Sequence, residues 1–198
     1  FQDMDPMGDL LSRRLFMSPD GQVVVRGGGP TGTVDDLKDT ALKFDAILDT
    51  YQSVTKIPVV DHRFVIAEAY SQGYQQRKPT LCVVAENIGE HVTFEAVTEG
   101  QVEDAAIAEE FDKVIGANLK YIQHLIDNGG ITEPDICSAR QSVIVRSTGK
   151  PVMVDVSPVS NDPKYPENFI AITREGLQMR SKEQFARLIM MVETLRTE

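Results

Sequence analysis

A glycine-rich loop at residues 27–33 is the segment whose residue types most suggest a chemical function. It has the strand, loop and helix order of a phosphate-binding loop, and its outer glycines have the same spacing. However, the lysine that should precede Thr33 is absent, and the following helix opens with Asp35 and Asp36, which would repel a phosphate. These features favour a turn that leads into a helix cap, with Thr33 and Asp36 in capping-box positions, over a nucleotide site.

The histidines and cysteines show no spacing typical of catalysis or metal binding. His62, His91 and His124 fall on different predicted elements, and Cys82 and Cys137 lie far apart in the sequence. Both cysteines are expected to be reduced thiols. The sequence therefore predicts a protein that is not an enzyme and that uses no cofactor and no metal.

The chain is strongly acidic, and its charged residues are unevenly distributed along the sequence. The net charge is −10, and residues 1–138 contain 11 Lys and Arg against 23 Asp and Glu, whereas residues 139–198 contain 9 against 7. An acidic surface favours a basic partner and opposes nucleic acids and anionic membranes, except where the last third forms a local basic face. No apolar run approaches the roughly 18 to 20 residues that span a bilayer, and the start is unlike a signal sequence, so we expect no membrane association and a cytoplasmic location.

The first part of the chain, residues 1–129, is predicted to be an acidic, helix-rich half. Apolar residues at three- and four-residue spacing predict helices over residues 34–54, 63–76 and 101–128. Between the last two helices, residues 80–85 and 91–97 are typical of strands and predict a β-hairpin at 80–97. This half supplies most of the acidic surface.

The second part, residues 130–198, is predicted to have the order strand, strand, strand, helix. Residues 142–146 and 152–156 form a hairpin around a polar turn, residues 169–173 form a third strand, and Ser181 caps an amphipathic helix. Alternation places Val152, Val154 and Val156 on one side of their strand and Met153 and Asp155 on the other.

The two parts together predict the α+β class. An antiparallel sheet would be built from two units, each with a β-hairpin followed by a helix, and the long amphipathic helices would pack on one face of that sheet. The units would form one intertwined globular domain, with a boundary near residues 130–140.

The C-terminal part resembles the repeat of single-stranded nucleic-acid-binding folds, the group that includes the PC4 transcriptional coactivator, Whirly and Pur-alpha families. One carrier of the resemblance is Gly149-Lys150, which opens the strand at residues 152–156. The other is Gly176-Leu177-Gln-Met179, which leads through the helix cap at residues 181–184 to Phe185. The resemblance implies a β-β-β-β-α unit in this part of the chain.

The resemblance implies that the sheet face opposite the helix contacts nucleic acid. Met153 and Asp155 would lie on that face, basic side chains would meet phosphates, and aromatic rings would stack on bases. The candidate nucleic-acid-binding residues are Arg146, Lys150, Lys164, Tyr165, Phe169, Arg174 and Arg180.

Two functional hypotheses remain open at this point. The first is a single-stranded DNA- or RNA-binding protein that uses the C-terminal sheet. The second is an acidic assembly or chaperone-like protein whose long helices and exposed sheet edges bind a protein partner or a second copy, which makes a homo-oligomer the expected state. Acidity favours the second hypothesis, and only the first specifies a surface.

Overall fold

The computed structural model describes residues 2–3, 15–27, 29–71, 76–128 and 138–156 of the chain. The α+β class is confirmed, because helices and antiparallel strands both occur in these ranges. The described residues belong to two compact units. The first contains the chain up to Leu48 together with Val60–Ile88, and the second contains Asp49–Val59 and Gly89–Asp155.

The first unit contains a five-stranded antiparallel sheet. Its strands stand in the order β1, β2, β3, β5, β4, so β5 is paired on both sides and β4 forms an edge. The apolar residues of β5 suit its place inside the sheet, since Leu81, Cys82 and Val83 are all buried. The bounds are β1 Gln2–Asp3, β2 Leu15–Met17, β3 Val23–Arg26, β4 His62–Ser71 and β5 Gln76–Glu86.

The helix predicted at residues 34–54 is confirmed as α1, Val34–Thr55. Its start is fixed by Thr33, whose hydroxyl oxygen accepts a hydrogen bond from the Asp36 amide at 3.2 Å and donates to the Asp36 carboxylate at 2.6 Å. The apolar stripe is also confirmed, because four of its large side chains are buried: Leu37, Phe44, Leu48 and Tyr51.

The helix predicted at residues 63–76 is wrong, because His62–Ser71 form strand β4. Phe64 and Ile66 are half-buried while Arg63, Val65 and Ala67 are exposed, which is the two-residue period of a strand. Pairing with β5 runs without interruption from His62 to Ser71. The aromatic and β-branched residues of β4 favour a strand, and the long pairing with β5 stabilises that strand although the apolar spacing also fits a helix.

Within the described residues, the second unit contains a three-stranded antiparallel sheet, two further α-helices and a short 3-10 helix at Ala139–Gln141. The strands are β6, β7 and β8, in that order, and β7 is buried along its whole length. Their bounds are β6 His91–Thr93, β7 Ser142–Val145 and β8 Lys150–Met153, and the helices are α2 Phe94–Thr98 and α3 Ala105–Asp127. The hairpin predicted around residues 147–150 is thus confirmed, and so is the long helix predicted at 101–128.

The hairpin predicted at residues 80–97 does not form. Its first strand lies in β5, but its second strand is interrupted after Thr93, where helix α2 begins. The Thr93 hydroxyl oxygen accepts a hydrogen bond from the Ala96 amide at 3.2 Å, and this cap stabilises a helix in place of a continued strand. Because β6 pairs with β7, the described strands form two sheets and not the single sheet expected.

Helix α3 supplies much of the core of the second unit. The Phe111 ring meets Phe94 edge to face at 5.4 Å, and the Tyr121 ring meets Tyr51 in the same way at 5.2 Å. The apolar face of α3 predicted from the sequence is confirmed where its side chains are described as buried: Phe111, Val114, Ile115, Leu119 and Ile122.

Several expectations fall outside the described residues. These are the boundary at residues 129 and 130, the strand at residues 169–173 and the helix that follows Ser181. Within the described ranges, no helix is both long enough and apolar enough to span a membrane.

Candidate functional site

Two of the seven candidate nucleic-acid-binding residues, Arg146 and Lys150, lie in the described part of the chain. They stand at the two ends of the turn between β7 and β8, and both are exposed. Gly149 in this turn has φ +63°, a left-handed conformation that favours glycine. The other five, Lys164, Tyr165, Phe169, Arg174 and Arg180, lie outside the described residues.

The strand face proposed to contact nucleic acid is not the exposed face of β8. Met153 has 0% exposure, and it pairs with Ser142, which has 1%. The Met153 amide donates to the Pro58 carbonyl at 2.9 Å, which adds a neighbour on the other side of this strand. The prediction that Met153 would point outward is therefore wrong, while Asp155 is half-buried.

One acidic residue of α3, Glu110, lies within electrostatic range of Lys150 at the turn between β7 and β8. The Lys113 ammonium group donates to Glu110 at 2.7 Å, and this hydrogen bond lowers the pKa of Glu110. The positive charge of Lys150 lowers the same pKa to a smaller extent. Lys150 therefore lies within electrostatic range of a carboxylate, so it does not belong to a uniformly basic surface.

Two backbone groups of the glycine-rich loop, the Pro30 carbonyl and the Gly32 amide, bond to strand β5. The Gly32 amide donates to the Pro79 carbonyl at 3.3 Å, and the Pro30 carbonyl accepts from the Leu81 amide at 2.9 Å. These bonds extend the loop along β5, and its last residue, Thr33, caps α1. The geometry matches the interpretation of this segment as a turn that feeds a helix cap.

The histidines hold local hydrogen bonds in separate places. His62 places Nδ1 2.8 Å from the Val60 carbonyl and Nε2 3.2 Å from Asp45, and His91 places Nδ1 2.8 Å from the Gly89 carbonyl. Within the described ranges, no group of three or more His, Cys, Asp or Glu side chains is arranged to hold a metal ion.

The most exposed large apolar side chain of the described residues is Leu42, on α1. It keeps 68% of its surface exposed, whereas Val34, one of the next in rank, keeps 44%. Leu42 lies on the side of α1 away from the buried residues Leu37, Phe44 and Leu48. We call the surrounding exposed residues the outer face of α1: Val34, Asp35, Lys38, Asp39, Leu42, Asp45 and Ala46.

The outer face of α1 is predominantly acidic. Three aspartates flank Leu42 along the helix, and Lys38 is the only cation among the seven residues of the face. The Lys38 ammonium group lies 3.4 Å from Asp35, and that carboxylate remains 94% exposed. A solvated ion pair of this kind contributes little to stability and leaves the carboxylate available to a partner.

A second exposed apolar residue, Val65, lies on edge strand β4. It keeps 37% of its surface exposed, beside the exposed residues Arg63 and Ala67 on the same side of the strand. On the other side, the Phe64 ring packs edge to face against Phe44 of α1 at 6.1 Å. Interpretation of this segment as a helix concealed the edge, because the alternation of exposed and half-buried residues appears only in the folded chain.

Comparison with known proteins gives no family assignment. No protein-family model and no curated protein matches the sequence. The solved structures with some similarity include an apo pseudokinase (13% identity, TM-score 0.40), a co-crystal structure of WbdD and a kinase inhibitor (14%, 0.38) and a MAP kinase from Leishmania major (10%, 0.34). The matches cover 88%, 96% and 89% of this chain but 65%, 44% and 56% of the other chains, so the chain spans less than two thirds of each. Similarity at this level assigns neither a family nor an activity.

Proposed function

We propose that this protein acts by binding a basic protein partner through the outer face of α1, and not by catalysis. The single observation that supports this proposal is the exposure of Leu42 within an acidic helix face. Acidic assembly or chaperone-like proteins need such a surface, because an apolar side chain supplies affinity and the charges select the partner.

The apolar contribution to binding can be estimated from the exposure of Leu42. Full burial of a leucine side chain is worth about 1.5–3 kcal/mol. Since 68% of the Leu42 surface is still exposed, its burial by a partner makes about 1–2 kcal/mol available. This corresponds to a change in affinity of about 5-fold to 30-fold.

The charge of α1 indicates the chemistry of the partner. The helix contains five aspartates and two lysines, and the whole chain has a net charge of −10. A basic segment is therefore attracted both by the outer face and by the field of the molecule, and salt weakens this attraction. A partner with lysine or arginine beside an apolar residue fits this surface best.

A titration with a defined peptide tests the proposal. The probe is a fluorescent amphipathic peptide with lysines on one face and leucines on the other, and the matched control peptide has serine in place of each leucine. We expect the leucine peptide to bind about 5-fold to 30-fold more tightly than the serine peptide, with affinity falling as salt increases.

Two variants of the protein make this titration specific. Leu42→Lys is expected to remove the advantage of the leucine peptide, whereas Leu15→Lys, at an exposed leucine of β2, is expected to leave it unchanged. Equal affinity of both peptides for the wild-type protein would contradict the proposal. An equal loss in the two variants would contradict it as well.

Single-stranded nucleic acid is the second candidate ligand. The observation that favours it is the exposure of Arg146 and Lys150 at the two ends of one turn. If both side chains contact phosphates, the double variant Arg146→Ala with Lys150→Ala should reduce the salt dependence of binding by a slope of about 1.4. Absence of detectable binding to a labelled oligonucleotide at low salt would remove this candidate.

A further inference from the structure

Strand β4 presents a long free edge of the five-stranded sheet. It pairs with β5 along His62–Ser71, and within the described residues it has no strand on its other side. The opposite edge of the sheet is the two-residue strand β1. A long edge of this kind exposes a row of backbone donors and acceptors that can pair with another strand.

The backbone groups that face outward can be assigned from the bonds of β5. The Leu81 amide donates to Pro30, so odd-numbered residues of β5 direct their backbone groups away from β4. Even-numbered residues of β5 therefore bond to β4, and the register makes their partners odd-numbered. The backbone groups of Phe64 and Ile66 consequently point outward, and they have no hydrogen-bond partner among the described residues.

The edge of β4 lacks most of the features that usually prevent pairing between sheets. Proteins protect edges with proline, with charged side chains and lysine above all, with β-bulges or with short strands, and of these β4 carries only the charged residues Arg63 and Glu68. The sequence of β4, HRFVIAEAYS, contains neither proline nor lysine, and the ten-residue ladder with β5 contains no bulge. Val65 adds an exposed apolar side chain at the middle of the strand.

We propose that β4 pairs antiparallel with β4 of a second copy of this chain, around a twofold axis at Val65. In this register Val65 faces its own copy, Phe64 faces Ile66, and Arg63 faces Ala67. Glu68 faces His62, so no like charges are placed opposite each other. Twofold pairing of identical surfaces is the commonest arrangement of homodimers, and here it continues the sheet across the interface.

The choice of a second copy as the occupant follows from this self-complementarity. A register centred on Ile66 would place Phe64 opposite Glu68, which joins an apolar and a charged side chain and is less favourable. The register centred on Val65 avoids that mismatch. The net charge of −10 on each copy opposes association, so dimerisation should strengthen as salt increases.

Sedimentation velocity over a range of protein concentrations tests the dimer. We expect a concentration-dependent dimer that becomes stronger at high ionic strength and at least tenfold weaker in Val65→Lys, because two lysines would then face each other. Leu42→Lys, which changes the outer face of α1, is the control and is expected to dimerise like the wild type. A chain that stays monomeric at all concentrations would overturn the inference.

Disulfide cross-linking tests the register, even if Val65→Lys disturbs folding. Facing residues of this kind have Cα atoms about 4.5 Å apart, within the range of a disulfide, so Val65→Cys is expected to cross-link on mild oxidation. Arg63 lies on the same side of the same strand, but the Cα atoms of residue 63 in the two copies would be about 14 Å apart. Arg63→Cys should therefore not cross-link. Cross-linking of both variants to the same extent, or of neither, would overturn the twofold pairing.

Failure of this dimer and failure of peptide binding are distinguishable. Val65→Lys is expected to lose the dimer and retain the preference for the leucine peptide. Leu42→Lys is expected to retain the dimer and lose the preference for the leucine peptide. A strand contributed by another protein, or by another segment of the same chain, would leave Val65→Cys uncross-linked and would contradict the inference.

Discussion

The hydroxyl group of Tyr51 is expected to stabilise the second unit through a buried hydrogen bond. Tyr51 has 0% exposure, and its hydroxyl donates to the Asn118 side-chain oxygen, which belongs to a residue with 3% exposure, at 2.8 Å. Tyr51→Phe removes this donor but retains the ring that packs against Tyr121. The buried acceptor then loses this hydrogen bond, and we expect a loss of about 1–3 kcal/mol in the free energy of unfolding.

Urea denaturation of a double-mutant cycle measures this contribution. When Asn118→Leu is combined with Tyr51→Phe, both polar partners are absent, so the combined loss should be smaller than the sum of the two single losses by about 1–2 kcal/mol. Thr98→Val removes a half-buried hydroxyl that donates to the Glu95 carbonyl, and it is the control with an expected change within about 0.5 kcal/mol. Strict additivity of the two changes would refute the reasoning, as would a Tyr51→Phe variant as stable as the wild type.

Two further predictions concern a pair of glycines and a carboxylate. A Cβ at Gly29 would collide with the Leu81 carbonyl oxygen, whereas one at Gly116, within α3, meets no atom within 4 Å. Thermal unfolding should therefore show that Gly29→Ala lowers the free energy of unfolding by about 1–3 kcal/mol and that Gly116→Ala raises it by about 0.5–1 kcal/mol. If both substitutions changed the stability in the same direction, this account of the packing would be contradicted. Lys113→Met should raise the pKa of Glu110 in an NMR titration, because the hydrogen bond from Lys113 lowers it. Because the folded pKa of Glu110 is lowered, this carboxylate adds stability above its unfolded pKa, and that stability is lost as pH falls through the folded pKa. The stability of the Lys113→Met variant should therefore depend less on pH in this acid range. An unchanged Glu110 titration in the variant would contradict the prediction.

The helices were predictable because their signal is local and long. In α1, apolar residues recur over several turns and Thr33 marks the start, so both the helix and its buried stripe follow from the sequence. The same pattern located α3, whose buried face includes Phe111 and Ile122. The hairpin of β7 and β8 was also evident, because a glycine-containing turn separates two β-branched runs.

Strand β4 was mispredicted because two periodicities fit the same residues. Phe64 and Ala67 have helical spacing, whereas the alternation of Phe64, Val65 and Ile66 between half-buried and exposed becomes visible only in the folded chain. The pairing with β5 decides between them, and strand pairing depends on contacts between segments that sequence periodicity does not contain. The edge position of β4, and with it the proposed dimer surface, could not be predicted for the same reason.

The exposure of the candidate nucleic-acid-binding residues could be predicted from the sequence, but the residues that surround them could not. Arg146 and Lys150 are exposed, as polar residues around a turn are expected to be. The alternation of Met153 with three valines predicts an outward side chain, yet Met153 has 0% exposure and pairs with Ser142 of the buried strand β7. The 68% exposure of Leu42 is a property of the folded helix that its apolar residue type does not predict.

Methyl NMR of leucine-labelled protein tests the binding role of the outer face of α1 most directly. On titration with the lysine- and leucine-containing peptide, we expect the Leu42 methyl resonances to shift progressively while those of Leu15 stay in place. With the serine peptide, the Leu42 shifts should be much smaller at equal concentration. Unchanged Leu42 resonances in the presence of bound peptide, or shifts of equal size at Leu15, would contradict a partner-binding surface on this helix.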